Sequence, residues 1–440
     1  MRSTVETHYA NRDWLERDRG LSLDTLFGRA EQQLHEAGSD ADARSVLDRL
    51  ARRFADGHVT LLWPAEVAPV LLGAVVASSP CDALGFDARQ NSPGAASRLP
   101  GYTALPEDGG LFAAGIVPVK HKRVGVVRIA AFQPQAMPAL CSAALAVLGI
   151  PLDRLCDDAC QDRILAWTYD RMTRALAERL EALRRAGAQV LMVDVSANGG
   201  GTEWVEAVAR MVSPVPIRSE PLGFVRGEHW EKRWAGKAEQ LRAAAASETD
   251  TADRNRLLGW AKEAEAASVL AATPCAPRSA CIGRVGFATG LVGTAPAGSF
   301  GGKPWASLVF SPAQYPYRDS VWQGPLIVLV DDDSWSAAEQ FAAVLQDNRA
   351  AVVIGQRTGG AGCGHTDGGT PTPLPNSGAV LELPDCIRFR ADGSSEVMGV
   401  IPDLLAPLRA SDGRALEARL LAPILPRALK RARRLRSDAR

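Results

Sequence analysis

The sequence predicts an α/β fold: a sheet core with crossover helices, an N-terminal helical region and a helical insertion. Three observations predict it. The apolar run QVLMVDVS (Gln189–Ser196) leads into the glycine loop ANGGG and then the helical pattern TEWVEAVARMV. The apolar run in GPLIVLVDDDS (Gly324–Ser334) leads into a second helical pattern, from about Ser336 to Asn348, and then the strand-like AAVVIGQ. Strand–loop–helix units of this kind build a sheet with crossovers. Between them, residues 219–284 are charged and alanine-rich, and read as a helical insertion.

The remaining elements follow in chain order. Residues 12–55 carry apolar positions at three- and four-residue spacing and read as helices. DGHVTLLWP (Asp56–Pro64) turns and starts a strand. APVLLGAVVASSP (Ala68–Pro80) has a helical look, and the Gly/Pro-rich residues 91–110 form a connecting loop. In LFAAGIVPVKHKRVGVVRIAAF, two β-rich runs flank the polar turn KHKR, a hairpin pattern. The long helical pattern ending at Arg184-Arg185-Ala186-Gly187 stops with basic residues and a glycine, as helix ends do. AVLELPDCIRFRADGSSEVMGVIPDLL (Ala379–Leu405) closes the core with β-rich segments. The expected division is 1–95 for the N-terminal region, 96–218 and 285–426 for the two parts of the core, 219–284 for the insertion and 427–440 for a basic tail.

Fifty basic and fifty acidic residues in 440 give a formal net charge of zero. Nothing global therefore points to nucleic acid or an anionic membrane. The arginine-rich tail, with Leu429 and Leu435 recurring among its charges, reads as a solvated terminal helix rather than a binding patch. No stretch has the roughly 18 uninterrupted apolar residues of a membrane span. The N-terminus has no apolar h-region, so it does not read as a signal peptide. The compartment stays open: cytoplasmic if the chain is full length, periplasmic or secreted if a leader was removed. Eight cysteines include Cys156/Cys160 and Cys275/Cys281. Their spacing is not that of a zinc site, so no metal is expected. They would close small disulfide loops in a secreted protein and stay free thiols in a cytoplasmic one.

Chemistry concentrates at the strand-to-helix junction VLVDDDSWSAAEQ. A serine there can cap the helix, because N–H groups at a helix start lack partners. The same geometry suits a nucleophile, since the following N–H can hold an oxyanion. Spacing alone leaves both roles open for Ser334 and Ser336. ANGGG lets backbone approach another group closely. It lacks the Lys-Ser/Thr ending of a phosphate loop.

Taken together, four motifs resemble the carboxyl-terminal-processing (tail-specific) serine proteases and the related tricorn core protease. They are RVGVVRIAAF, QVLMVDVSANGGG, PLIVLVDDDSWSAAEQFAAVLQDNRAAVVIGQRTGG and ADGSSEVMGVIPD, in the family's order. The resemblance covers about half of the chain and leaves out the N-terminal helices and the insertion. It implies a ClpP/crotonase-like core and a serine endopeptidase acting through an acyl-enzyme on a peptide or protein substrate, with no cofactor. The nucleophile would be Ser336, three residues before Glu339. Ala337 and Gly200 would offer the oxyanion donors.

The chain departs from the family at the general base. The processing proteases place a lysine twenty-five residues after the serine; here that position is Ala361, and no lysine follows Ser336 before Lys430. A serine hydroxyl needs another base, and histidine is suited to it. His58, in FADGHVTLL, resembles the "D-G-H-T" segment of the tricorn-like branch, which pairs serine with histidine and glutamate. The matching glutamate would be Glu396, completing a Ser336–His58–Glu396 triad. His365, in the loop where the lysine would stand, is a rival base or a substrate-binding residue. Asp331, Asp332 and Asp333 either cap the helix or favour cationic substrates. The gap between Pro64 and Phe112 is too short for a complete PDZ domain. A homo-oligomer is left open, and so is a non-catalytic peptide- or lipid-binding protein on the same fold.

Overall fold

The computed structural model describes residues 1–64, 79–106, 111–151, 156–275, 281–296, 298–364, 372–406 and 412–438. The helix expected around Ala68–Pro80 lies largely outside the described residues, and so does His365.

A seven-stranded sheet forms the centre. Its order is Leu404–Leu405, Val352–Gly355, Leu326–Val330, Val190–Asp194, Lys122–Arg128, Ala114–Val119, Thr103–Ala104. The first five are parallel, and the last two join antiparallel at the edge. The central runs are apolar throughout because both faces are covered. Leu191, Val193, Val328 and Val330 face the helices Asp158–Arg185, Trp204–Val212 and Ala337–Asp347. Val190, Met192, Ile327 and Leu329 face the other way, where Leu425, Ala428, Leu429 and Ala432 of the helix Leu425–Asp438 cover them. The basic tail is thus the outer face of a helix whose inner face is part of the core. The hairpin turn is tighter than KHKR suggested: Lys122 already pairs with Val119, and Lys120 takes a positive φ of 52°.

The insertion is built around an antiparallel helix pair, Glu228–Ser247 and Thr251–Ala272, with Asp250 capping the second helix through the Asp253 N–H. Its ends correct the all-helical expectation. Pro221–Val225 and Ile282–Phe287 are strands that pair with each other and, through the first, with Cys386–Arg388. Glycine explains the strands: a Cβ on Gly223 would meet the Phe389 ring at 2.6 Å, and one on Gly283 the Phe224 ring at 2.5 Å. All eight cysteines are paired, as Cys81–Cys141, Cys156–Cys160, Cys275–Cys281 and Cys363–Cys386.

The N-terminal helices matter because they hold the Asp-Gly-His turn. Their apolar faces, including Leu15, Leu26, Leu50 and Phe54, pack on Leu381, Leu383 and Val397 from the C-terminal part of the chain. At the junction, buried Asp56 accepts hydrogen bonds from the Tyr9 hydroxyl (3.1 Å), the Asn11 amide (2.9 Å) and the His58 N–H (3.1 Å). Burial nevertheless dominates and pushes its carboxyl up to about 7.

This shift has a sign that can be tested. The folded chain holds the Asp56 proton more tightly than the unfolded chain does. The resulting stability is fully present below the unfolded carboxylate range, about pH 4, and is lost as pH rises through about 7. Asp331, raised by burial to about 6, acts in the same direction. Thermal unfolding should therefore show a higher midpoint near pH 5 than near pH 8, and Asp56→Asn should shrink that difference. An unchanged pH slope in the variant would remove Asp56 as its source.

Candidate active site

The strand Leu326–Val330 delivers the chain to a junction where each residue of DDDSWS has a separate task. Ser334 is fully buried; its hydroxyl donates to the Val195 carbonyl (2.8 Å) and accepts the Asp331 N–H (3.1 Å). Asp331 accepts the Ala197 N–H at 2.7 Å and the Asp333 N–H at 3.2 Å. Ser334 and Asp331 therefore brace the turn against the glycine loop. Asp333 alone of the three acids lines the cavity beside Ser336. Trp335 donates its N–H to the Asn198 carbonyl (2.9 Å). Its ring fills a slot between Gly57 and Gly359, where a Cβ would stand 2.5 Å and 2.4 Å from the indole.

Ser336 then takes φ 52° and ψ −111°, in a region that L residues rarely adopt, directly before the helix Ala337–Asp347. Holding a non-glycine residue there costs about 1–3 kcal/mol. The surroundings impose it. Glu339 is fully buried, and its carboxylate accepts four hydrogen bonds: Ser336 N–H (2.9 Å), Thr358 hydroxyl (2.6 Å), Gly360 N–H (2.7 Å) and Ala361 N–H (2.7 Å). One carboxylate thus sets both the serine turn and the loop that follows the strand Val352–Gly355.

That loop carries the histidine contact. The Gly57 N–H donates to the Gly360 carbonyl (3.2 Å), and His58 Nδ1 lies 2.6 Å from the Ala361 carbonyl. A carbonyl only accepts, so Nδ1 carries a proton in this contact. His58, Ser336, Gly200 and Gly201 line one cavity of about 670 Å3. Sequence-distant His58 and Ser336 are therefore brought to the wall of one cavity. The position of the absent lysine, Ala361, contributes its backbone to the histidine instead.

Two expected roles meet different geometry. Glu396 is buried, but one of its oxygens accepts from Arg388 and the other has no hydrogen-bond partner. It is on Arg388, not on His58. Arg388 in turn donates to the Gly362 carbonyl at 2.8 Å and approaches the Ser336 carbonyl at 3.4 Å. Burial raises the pKa of Glu396, and Arg388 opposes that rise. Gly200 packs against Ser336, since a Cβ there would sit 2.8 Å from the Ser336 Cβ; yet its N–H donates to the Asn198 side chain at 2.8 Å. The Ala337 N–H, by contrast, has no acceptor among the described residues. Spacing could not reveal either pairing: Arg388 lies in an ordinary-looking strand, and Asn198 reads as part of a turn.

A second cavity, of about 440 Å3, also reaches Ser336 and Ala337 and runs under the insertion. The disulfide Cys363–Cys386 lies on its wall and ties the Glu339-held loop to the strand Cys386–Arg388. The Ser336 turn thus sits between two openings.

Comparison with known proteins bears on the fold and the family. Over 82 residues the chain is 37% identical to a carboxy-terminal-processing protease of Bartonella bacilliformis, 18% of each chain. Over 107 residues it is 33% identical to an uncharacterized protein of Chlamydia muridarum, 23% of this chain and 16% of that one. The matches thus span less than a fifth of either relative. Among solved structures, mature CPAF superposes with a TM-score of 0.58 at 16% identity, covering 100% of this chain and 97% of the other. A putative peptidase from Parabacteroides merdae gives 0.50 at 13% identity, covering 98% and 94%. These likenesses establish the fold. The model of Peptidase family S41 matches residues 123–406, well over half of the chain, from the second strand of the hairpin to the last strand of the sheet. The chain is a member of peptidase family S41.

Proposed function

We propose that this chain is a serine endopeptidase that hydrolyses peptide bonds through an acyl-enzyme on Ser336, with His58 as the base. The observation that carries the reading is the pairing of a positive-φ serine at a helix start with a histidine on the same cavity, its Nδ1 already engaged by a carbonyl. In the first half-reaction, Ser336 Oγ attacks the peptide carbonyl and His58 Nε2 takes the hydroxyl proton. The carbonyl oxygen becomes an oxyanion facing the Ala337 N–H. Collapse breaks the C–N bond, and the His58 proton leaves with the amine. Water then repeats the sequence and frees Ser336.

Glu396 enters this scheme through Arg388, which fixes the Gly362 and Ser336 carbonyls, rather than by touching the imidazole. The Ala361 carbonyl takes the orienting position behind His58. Gly200 becomes the second oxyanion donor when its N–H leaves Asn198. Its place against Ser336 supports that role.

Hydrolysis of a mixed peptide library, read by mass spectrometry, tests the assignment. Ser336→Ala and His58→Ala should each lower turnover at least 1,000-fold, and a fluorophosphonate probe should label wild type at Ser336 but not Ser336→Ala. Activity retained in His58→Ala and lost in His365→Ala would move the base to the loop histidine. A wild-type chain that neither cleaves nor labels would favour the binding-protein reading.

Glu339→Gln tests the support. The amide turns an N–H toward backbone donors, leaving buried groups unpaired at a cost of about 1–3 kcal/mol. The variant should remain folded by circular dichroism, melt earlier and lose most of its labelling rate at Ser336. Unaltered labelling would show that the serine turn holds its geometry without the carboxylate.

A further inference from the structure

The 440 Å3 cavity beside Ser336 is walled by the first helix of the insertion on one side and the core on the other. Its polar lining includes unspent donors. The Trp234 indole N–H and the Ser311 hydroxyl are both buried without a hydrogen-bond partner. Buried donors without acceptors are rare in folded chains, because each has lost its water. Lys237, partly buried on the same wall, donates to a single carbonyl, that of Leu308, at 2.7 Å. An ammonium has three N–H donors, so two are left.

Charge points the same way. Arg233 lies over the Trp230 ring, 5.6 Å from its centroid, and no carboxylate pairs with Arg233 or Lys237 among the described residues. Arg388 also reaches this wall, but its charge is taken by Glu396. The one acid among the described lining residues, Glu203, is exposed. Burial and the nearby Arg233 lower the Lys237 pKa, the response of a cation held without a counter-ion.

We propose that this cavity is a specificity site that binds a substrate carboxylate, through Lys237 and Arg233 with Trp234 and Ser311, next to the bond that Ser336 cleaves. The inference rests on the peptidase reading for its position relative to the scissile bond. The chemistry selects the ligand. A carboxylate only accepts hydrogen bonds and carries the opposing charge, whereas a neutral amide could use Trp234 and Ser311 but would leave the cations unpaired. The carboxylate comes either from an Asp or Glu side chain or from the free C-terminus of the substrate. None of the three acids before Ser336 lines this cavity: Asp331 is spent in the turn, and Asp333 faces the other cavity, on the His58 side.

Two measurements separate this site from the peptidase reading. First, wild type and Lys237→Met are given a peptide library in acid and C-terminally amidated forms, and cleavage sites are read by mass spectrometry. Wild type should favour peptides that place a carboxylate beside the cleaved bond. Lys237→Met should lower kcat/KM for them roughly 10- to 100-fold while changing neutral peptides less than about twofold. Loss of the preference on amidation assigns the carboxylate to the chain terminus; its persistence assigns it to Asp or Glu. Second, immobilised Ser336→Ala protein, with and without Lys237→Met, is exposed to the same library. Retention of carboxylate-bearing peptides that disappears with Lys237→Met supports the site even if wild type cleaves nothing, in which case it is the peptidase reading that fails. Equal cleavage and equal retention of acidic and neutral peptides would overturn the site while leaving the Ser336 chemistry intact.

Discussion

The buried carboxylate of Glu339 is the constraint on which the rest of the site depends. It lies one helical turn into its own helix and accepts from the serine turn behind it and from Thr358, Gly360 and Ala361 of a loop far along the chain. Four donors on one anion hold two separate segments in fixed relation. Charge-assisted hydrogen bonds are roughly twice as strong as neutral ones. The positive φ of Ser336 and the aim of the Ala361 carbonyl are consequences of that one group. Through Ala361 the constraint passes to the histidine, and through Gly360 to the turn that bears it.

A second layer of buried charge stands behind the first. Arg388 lies between Glu396 and the more distant Glu220, 3.9 Å away, and both carboxyls are raised by burial. Removing one partner from such a group is costly because it leaves an uncompensated charge inside the protein. The arrangement spans the last part of the core, the first strand of the insertion and the serine turn. It joins the insertion to the site by electrostatics, while Cys363–Cys386 ties the loop after Ala361 to the strand Cys386–Arg388 that pairs with the insertion's first strand.

The strand–loop–helix pattern was legible because the central strands are buried on both faces and so spell continuous apolar runs. The choice of Ser336 as candidate rested only on its distance from Glu339 within a known motif; local chemistry left Ser334 equal to it, and only the fold shows Ser334 held by Val195. His58 was readable as a candidate, but its partners were not, because Ala361 offers a backbone carbonyl that no sequence pattern encodes. The expected Glu396 contact goes to Arg388 for the same reason: a strand arginine eight residues away gives no sign of which carboxylate it will meet. The strands at the ends of the insertion were hidden because short runs broken by glycine carry little periodicity. Cys81 and Cys141 stand 60 residues apart, and nothing in their spacing marks them as partners.

The backbone of Ser336 has a further consequence. A residue with a Cβ is held at φ 52° against its own preference, and glycine would sit there with less strain. Backbone strain alone therefore does not favour serine at this position. On the proposed reading, use of the hydroxyl does. In a lineage that abandoned the chemistry, drift toward glycine would be the downhill path, and a descendant could keep the whole fold, gain stability and lose the reaction in one substitution. On that reading, the residue at this single turn marks whether the scaffold is employed as a catalyst.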